Sequence, residues 1–121
     1  MNNKAIRLLP GGDPISGMQP SDLTEVETFT SDDHTELNHT FFTTSDETVL
    51  AGVWECAPCK EDIDSYPVHE MMTVISGSVT VTNADGQAET FTSGDVFYIP
   101  KGTKCTWHIE ETLRKFYMIV E

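Results

Sequence analysis

An alternation of apolar and polar residues with a period of two begins near Glu36 and continues almost to the end of the chain. Successive side chains of a β-strand point to opposite faces of the sheet, so this period is the one expected for strands. Glycine, proline, asparagine and aspartate recur at short intervals and divide the pattern into eight or nine runs with no helical period between them. Such a pattern predicts an all-β sandwich or a closed barrel.

The turn residues give approximate bounds for these strands. Asn83-Ala84-Asp85-Gly86 is typical of a hairpin turn, because these residue types tolerate left-handed backbone. Ala57-Pro58-Cys59-Lys60 predicts a break after the second strand. The predicted strands are residues 37–43, 48–56, 70–75, 78–82, 87–92, 96–99, 103–109 and 114–120.

Residues 1–35 differ from the rest in composition. They are rich in Pro, Gly, Asp, Ser and Thr, and the stretch Pro10-Gly11-Gly12-Asp13-Pro14 interrupts any regular element. We expect an extended N-terminal arm over 1–35, laid over a barrel that occupies 36–121 or onto a partner subunit, with a short helix at 21–25 as an alternative. An arm of this kind fits a homodimer.

The charge of the chain excludes several classes of partner. Twenty acidic residues against seven basic ones give a formal charge of −13, which opposes binding to nucleic acid and to anionic membrane surfaces. No run approaches the roughly 18 apolar residues of a membrane span, and no signal peptide is recognisable, so we expect a cytoplasmic protein. The three cysteines, an odd number, favour reduced thiols over a disulfide framework.

The order of the turns resembles that of the cupins. Six residues separate Glu70 from Gly77, and five separate Gly94 from Pro100-Lys101-Gly102, as in the two cupin motifs. The chain is similar to small single-domain cupins related to ureidoglycine aminohydrolases and ethanolamine-utilisation proteins over about residues 48–119. The shared segments are Gly52-Val53-Trp54-Glu55, His69-Glu70, Phe91-x-x-Gly94-Asp95, Pro100-x-Gly102, Trp107 and Arg114-Lys115-x-Tyr117. The resemblance implies a cupin jelly-roll barrel.

The resemblance also implies a metal site, from which this sequence departs. The usual ligands are three histidines and one glutamate, and their positions fall near Asp64, near Tyr66, on Glu70 and on Cys105. Only the glutamate is retained. The open alternatives are one divalent ion (zinc, manganese, iron or nickel), held by Glu70, Cys105 and His69, or no metal. His69 can face the same side as Glu70 only if it lies in the loop before the strand.

Glu70 is the main candidate for chemistry. Strand alternation places Met72 and Val74 on its face, so its carboxylate is expected among apolar side chains, where it must be paired, metal-bound or protonated. A structural carboxylate hydrogen-bonded to a tyrosine or lysine is the alternative to a functional one. Together with Tyr66 it forms the predicted catalytic set. Arg114 or Lys115 would supply a cation at the edge of the cavity, and Arg114 is the one included in the predicted ligand-binding set. This set is Trp54, Tyr98, Trp107, Arg114 and Tyr117.

Cys56-Ala57-Pro58-Cys59 has the spacing of redox pairs and zinc sites. It follows a strand, however, without the helix N-terminus that activates a redox pair or the second pair of ligands that zinc requires, so incidental packing is favoured.

Two functions follow from these residues. The first is a small-molecule cupin, acting as an enzyme on a small polar nitrogen-containing or carboxylate metabolite. The second is a non-catalytic ligand-binding or regulatory cupin without a metal. A scaffold protein is a third, less supported hypothesis.

Overall fold

The structure, a computed structural model, describes residues 3–121 and contains almost only β-strands. A 3₁₀ helix at Val26–Thr28 lies between the first two strands. The strands are β1 (Gln19–Pro20), β2 (Glu36–Thr43), β3 (Val49–Cys56), β4 (Cys59–Ile63), β5 (His69–Asn83), β6 (Ala88–Thr92), β7 (Val96–Ile99) and β8 (Cys105–Val120). The all-β prediction is confirmed.

The strands pair in the order β1-β2-β3-β8-β5-β6, with β4 added on β8 and β7 added on β5. Every pairing is antiparallel. The two long strands, β5 and β8, pair with each other along almost their whole length. One half of β8 also pairs with β3, and the other half pairs with β4, so the same two strands contribute to both walls of the barrel.

Gly77 marks the point where β5 bends. The register between β5 and β8 shifts three times between Val74 and Thr80, which is the mark of β-bulges. Gly77 has φ 78°, and a Cβ at this position would collide with the carbonyl oxygen of Thr112. Glycine is therefore needed here for both its backbone conformation and its lack of a side chain.

The observed strands differ from the predicted ones in two ways. The predicted strands 70–75 and 78–82 lie within one continuous strand, β5, because a bulge bends a strand without ending it. The predicted strands 103–109 and 114–120 are likewise joined in β8, which begins at Cys105. The predicted break after β3 is also shorter than expected. Pro58 cannot donate to a ladder, but Cys59 already pairs with Ile109 and begins β4. The consecutive charged residues of β4, Lys60 to Asp62, are exposed and hide the strand from a periodicity argument.

The segment before β2 is held by one buried carboxylate. Glu36, only 4% exposed, accepts hydrogen bonds from the hydroxyl of Ser21 (2.7 Å) and from the backbone amides of Leu23 (3.2 Å) and Thr24 (2.8 Å). Its carboxylate also accepts a bond from Trp54 Nε1 at 3.0 Å. The alternative helix at 21–25 is absent from the structure, and the helical turn of the described residues lies further on, at Val26–Thr28.

The barrel interior is filled by alternate residues of the long strands. Along the first half of β5, Glu70, Met72 and Val74 are buried while Met71 is exposed, as the period of two predicts. The largest fully buried side chains are Met72, Ile109, Leu113, Val53, Val74, Val79, Cys56 and Cys59. Within residues 3–121, no helix has both the length and the apolar character that a membrane crossing requires.

Candidate functional site

A cavity of about 460 Å³ opens into the barrel between β2, β3, β4, β8 and the start of β5. This volume lies within the range of small-molecule sites. Its aromatic walls come from Trp54, Tyr66, Trp107 and Tyr117, with aliphatic side chains between them. The polar groups that reach it are Thr24, Asn38, Thr40, Glu61, Glu70 and Lys115.

Glu70 lies in the wall of this cavity and is only 5% exposed. Its Oε1 accepts a hydrogen bond of 2.6 Å from the Tyr66 hydroxyl, and its Oε2 forms an ion pair of 2.7 Å with Lys115 Nζ. Of the states expected for a buried carboxylate at this position, the structure therefore contains the paired one. Each oxygen has a donor, which offsets the large cost of removing the charge from water.

Lys115 is equally buried, at 5% exposure, and two indole rings and a thioether lie around its ammonium group. Nζ lies 4.7 Å from the ring centre of Trp54 and 4.8 Å from that of Trp107, and it contacts Met72 Sδ at 3.1 Å. The negative faces of aromatic rings attract a cation at such distances. The two tryptophans thus share with Glu70 the stabilisation of this buried charge.

Sequence reasoning assigned the cavity cation to Arg114, but the structure places Lys115 there. Residues two apart on a strand share a face, and Tyr117 was already expected to line the cavity. Strict alternation from Tyr117 therefore points to Lys115, and this was the signal that could have found it. Arg114 faces the other side, where its guanidinium pairs with Glu55 at 2.9 Å and donates to the Pro10 carbonyl at 2.8 Å.

A second polar cluster faces the same cavity. The Tyr117 hydroxyl donates to Asn38 Oδ1 at 2.9 Å and lies 3.1 Å from the Thr40 hydroxyl. A Cβ on Gly52 would overlap the Tyr117 hydroxyl group and the His39 carbonyl oxygen, so the glycine leaves room for this cluster. Asn38 and Thr40 were not among the predicted site residues, because polar residues in a strand give no signal that separates a cavity from solvent.

Both cavity tyrosines are held in the protonated form. Burial raises the pKa of Tyr66 above its ordinary value, and the adjacent negative charge of Glu70 raises it further. Burial also raises the pKa of Tyr117, against the smaller opposing effect of its hydrogen bonds with Thr40 and Asn38. Both hydroxyls therefore act as hydrogen-bond donors at neutral pH.

The other predicted site residues lie outside the cavity lining. Tyr98 is 54% exposed on the outer side of β7, and His69, the first residue of β5, faces away from Glu70 because adjacent residues of a strand alternate. His69 Nδ1 accepts the backbone amide of Lys101 at 3.1 Å, and its ring lies 6.1 Å from that of Tyr98. Cys105 is buried in the core beyond the cavity wall, and burial raises the pKa of its thiol.

The side chains around Glu70 do not fit a divalent metal ion. Within residues 3–121, no three His, Cys, Asp or Glu side chains come together in the manner of a metal site. The ammonium of Lys115 already occupies the position beside Glu70 and would repel a second cation. His69, one of the residues considered as a ligand, points to a backbone amide instead.

Cys56 and Cys59 lie at the junction of β3 and β4, and only Cys59 lines the cavity. Both thiols are free and buried, and the hydrogen bond to Cys59 together with burial raises the pKa of Cys56. Such a thiol is a poor nucleophile.

An antiparallel barrel that surrounds an inward carboxylate at the start of a long central strand has the architecture of a small cupin. Residues 43–117 match the family of EutQ-like cupin domains, and the chain belongs to this family. The resemblance to ethanolamine-utilisation cupins and the jelly-roll prediction are thereby confirmed. No curated protein matches the sequence.

Solved structures show the same fold. A protein of unknown function of the DUF861 family from Pseudomonas syringae pv. tomato is 25% identical, with a TM-score of 0.78 over 90% of this chain. This chain spans only 46% of that protein. The EutQ protein of Clostridium difficile is 21% identical, with a TM-score of 0.60 over 83% of this chain and 80% of its own. A putative ethanolamine utilization protein Q from Salmonella typhimurium is also 21% identical, with a TM-score of 0.59 over 87% of this chain and 98% of its own.

Proposed function

We propose that this protein is a small-molecule cupin whose cavity binds a small metabolite that carries a carboxylate and an N–H group. The observation on which the proposal rests is the orientation of Lys115, a buried ammonium group in the wall of a ligand-sized cavity. An ammonium group has three N–H donors, and the bonds to Glu70 and Met72 use two of them. The third is available to a carboxylate in the cavity.

Glu70 supports the second part of the ligand description. Each oxygen of an ionised carboxylate has two acceptor sites, and each oxygen of Glu70 accepts one bond within the protein. The remaining sites can accept an N–H of a ligand. A molecule with both groups therefore matches the Lys115–Glu70 pair, while the surrounding rings of Trp54 and Trp107 suit its carbon skeleton.

Catalysis in this cavity is the second candidate, and the arrangement of Tyr66 and Glu70 is the observation that favours it. The hydroxyl of Tyr66 lies 2.6 Å from Glu70, so a proton taken up by that carboxylate would remain in a chain of short hydrogen bonds. Incubation of the protein with each ligand that binds, followed by NMR of the mixture, separates the two candidates. Conversion that is lost in Glu70→Gln supports the enzyme, and an unchanged ligand supports the binding module.

The binding proposal is tested with paired carboxylates and their methyl esters. We expect some small amino or amide carboxylates to raise the melting temperature and to bind in calorimetry, and their esters to bind at least about 10-fold more weakly, because a charge-assisted hydrogen bond contributes about 1.5–3 kcal/mol. The double variant Glu70→Gln with Lys115→Met removes both charges while keeping the volume of the side chains. It should lose the preference for the acid, and the exposed Lys104→Met should keep it. Equal binding of acid and ester by the native protein would overturn the proposal.

A further inference from the structure

The second polar cluster of the cavity is a closed ring of hydrogen bonds between three side chains. The Tyr117 hydroxyl donates to Asn38 Oδ1 at 2.9 Å, and Asn38 Nδ2 donates to the Thr40 hydroxyl at 3.3 Å. A hydroxyl has one proton, and Tyr117 uses its proton on Asn38, so Thr40 donates the remaining bond of 3.1 Å to Tyr117. We call these three side chains the polar ring.

The strand register explains how the polar ring forms. Thr40, Gly52 and Tyr117 lie side by side on β2, β3 and β8. Because Gly52 has no side chain, the Tyr117 side chain extends over β3, and its hydroxyl reaches the two polar residues of β2. All three side chains of the polar ring line the cavity. A molecule in the cavity can therefore use the hydrogen-bonding capacity that the ring leaves free.

The bonds within the polar ring leave a defined set of donors and acceptors. Asn38 keeps one of its two amide N–H groups and one acceptor site on its carbonyl oxygen. The hydroxyls of Thr40 and Tyr117 have both used their protons within the ring, and each oxygen keeps one acceptor site. The ring is uncharged, and it offers a ligand one N–H donor together with a surplus of acceptor sites.

This set favours an uncharged ligand group that both donates and accepts hydrogen bonds. A hydroxyl or a carboxamide can accept the free N–H of Asn38 and donate to one of the free oxygens. An ionised carboxylate has no proton to donate, so it would face acceptor lone pairs in a cavity that Glu61 and Glu70 also line. An alkyl group would displace water from the ring without replacing its hydrogen bonds.

We propose that the polar ring is a second subsite of the cavity, and that it binds an uncharged hydroxyl or carboxamide at the far end of the ligand. This inference rests on the proposed function, in which Lys115 and Glu70 bind the carboxylate and the N–H group of the same molecule.

The strand register places the two subsites within reach of one small molecule. Lys115 and Tyr117 are two residues apart on one face of β8, so their Cα atoms lie about 6.7 Å apart. Asn38, Trp54 and Lys115 are in register on neighbouring strands, which separates the Cα atoms of Asn38 and Lys115 by about 9.6 Å. A ligand of the size that a cavity of about 460 Å³ holds can therefore contact both subsites.

The proposal is tested by calorimetry of the full chain with amino acids that differ in one group at the far end. We expect the tighter binder of asparagine and glutamine to bind at least about 10-fold more tightly than its acid, aspartate or glutamate. Homoserine should exceed norvaline, which has a methyl group in place of the hydroxyl, by a similar factor. Neither of these two has a charge at the far end, so their difference is independent of the repulsion from the net charge of −13.

Two variants assign these preferences to the polar ring. Thr40→Val and, separately, Tyr117→Phe remove one hydroxyl, open the ring and should reduce both preferences below about 3-fold. Each variant should retain the preference for acids over methyl esters, which depends on Lys115. The control is Thr43→Val, the same change at an exposed residue of the same strand, and it should bind as the native protein does.

The outcomes separate this subsite from the proposed function. A native protein that prefers acids to methyl esters, but binds asparagine like aspartate and homoserine like norvaline, would overturn the subsite alone. Preferences that both ring variants retain, when circular dichroism shows them to be folded, would overturn its assignment to the polar ring. Equal binding of acids and methyl esters by the native protein would overturn the proposed function, and with it the class of ligand named here.

Discussion

At the scale of single residues, the buried pair of Glu70 and Lys115 dominates the interior of the barrel. A cation with two indole rings beside it and a carboxylate at 2.7 Å is compensated from several sides. Such pairs contribute little compared with apolar residues of the same volume, but each partner becomes expensive when the other is removed. This asymmetry leads to a prediction about stability that does not depend on any ligand.

Lys115→Met should lower the free energy of unfolding by about 3–5 kcal/mol, because it leaves Glu70 buried without its counter-charge. Adding Glu70→Gln to this variant should restore most of the loss, since no uncompensated charge remains. Urea titrations followed by tryptophan fluorescence measure both changes. Lys104→Met, at an exposed lysine, is the control and should change stability by less than about 0.5 kcal/mol. A single Lys115→Met that is as stable as this control would contradict the observed pairing.

At the scale of elements, the connection between the N-terminal segment and the barrel is the least usual feature. Residues 21–24 have no partner strand along most of their length. Their hydrogen-bond donors bond instead to the carboxylate of Glu36. Two of these residues, Leu23 and Thr24, also line the cavity. The same hydrogen bonds therefore hold one part of the cavity wall in place.

Glu36→Gln should loosen this segment and make its stability less dependent on pH. Burial by itself would raise the pKa of Glu36, but hydrogen bonds from Ser21, Trp54 and Thr24 outweigh it and hold the pKa below the ordinary 4.5. A carboxyl whose pKa is lower in the folded state stabilises that state above the unfolded value, and this contribution is lost as pH falls through the folded value. Native stability should therefore exceed that of Glu36→Gln near pH 7, and the difference should shrink below about pH 4.5.

Hydrogen exchange provides the local measurement. The amides of Leu23 and Thr24 should exchange faster in Glu36→Gln than in the native protein at pH 7, whereas Glu89→Gln, at an exposed glutamate, should leave them unchanged. Unchanged exchange at both amides would show that the carboxylate does not hold the segment.

At the scale of the whole molecule, the repulsion that arises from the net charge of −13 is the main long-range interaction. Most acidic side chains of the described residues are exposed, and few have a basic partner. Within residues 3–121, ion pairs join Glu55 to Arg114 and Glu70 to Lys115. Repulsion among the remaining carboxylates opposes compaction and the association of two copies.

Raising the salt concentration should therefore stabilise the protein. Between about 10 mM and 150 mM NaCl the Debye length falls from about 30 Å to about 8 Å, which screens repulsion between separated surface charges. We expect the urea midpoint at pH 7 to rise over this range, and we expect KCl to give the same rise because the effect depends on ionic strength. A midpoint that falls with either salt would show that attractive pairs, not repulsion, dominate the surface.

Local patterns in the sequence predicted the all-β fold class and most of its strands. The period of two, the Asn83–Gly86 hairpin turn and the glycine-proline turns predicted most strands, because these signals reflect the conformation of a few neighbouring residues. The burial of Glu70 with Met72 and Val74 followed from the same alternation. Local patterns missed β4, a strand whose charged residues pair with a distant part of the chain.

The composition of the cavity depends on contacts between residues that lie far apart in sequence. Glu70 and Lys115 are 45 residues apart, and Tyr117 and Asn38 are 79 apart, so no local pattern indicates that they meet. The sequence by itself determined an all-β fold with an inward carboxylate, since alternation and turn chemistry are properties of short segments, and the cupin family followed from the resemblance to known members. Only the tertiary structure decided that a lysine lies beside that carboxylate, since the register of β5 on β8 brings the two together.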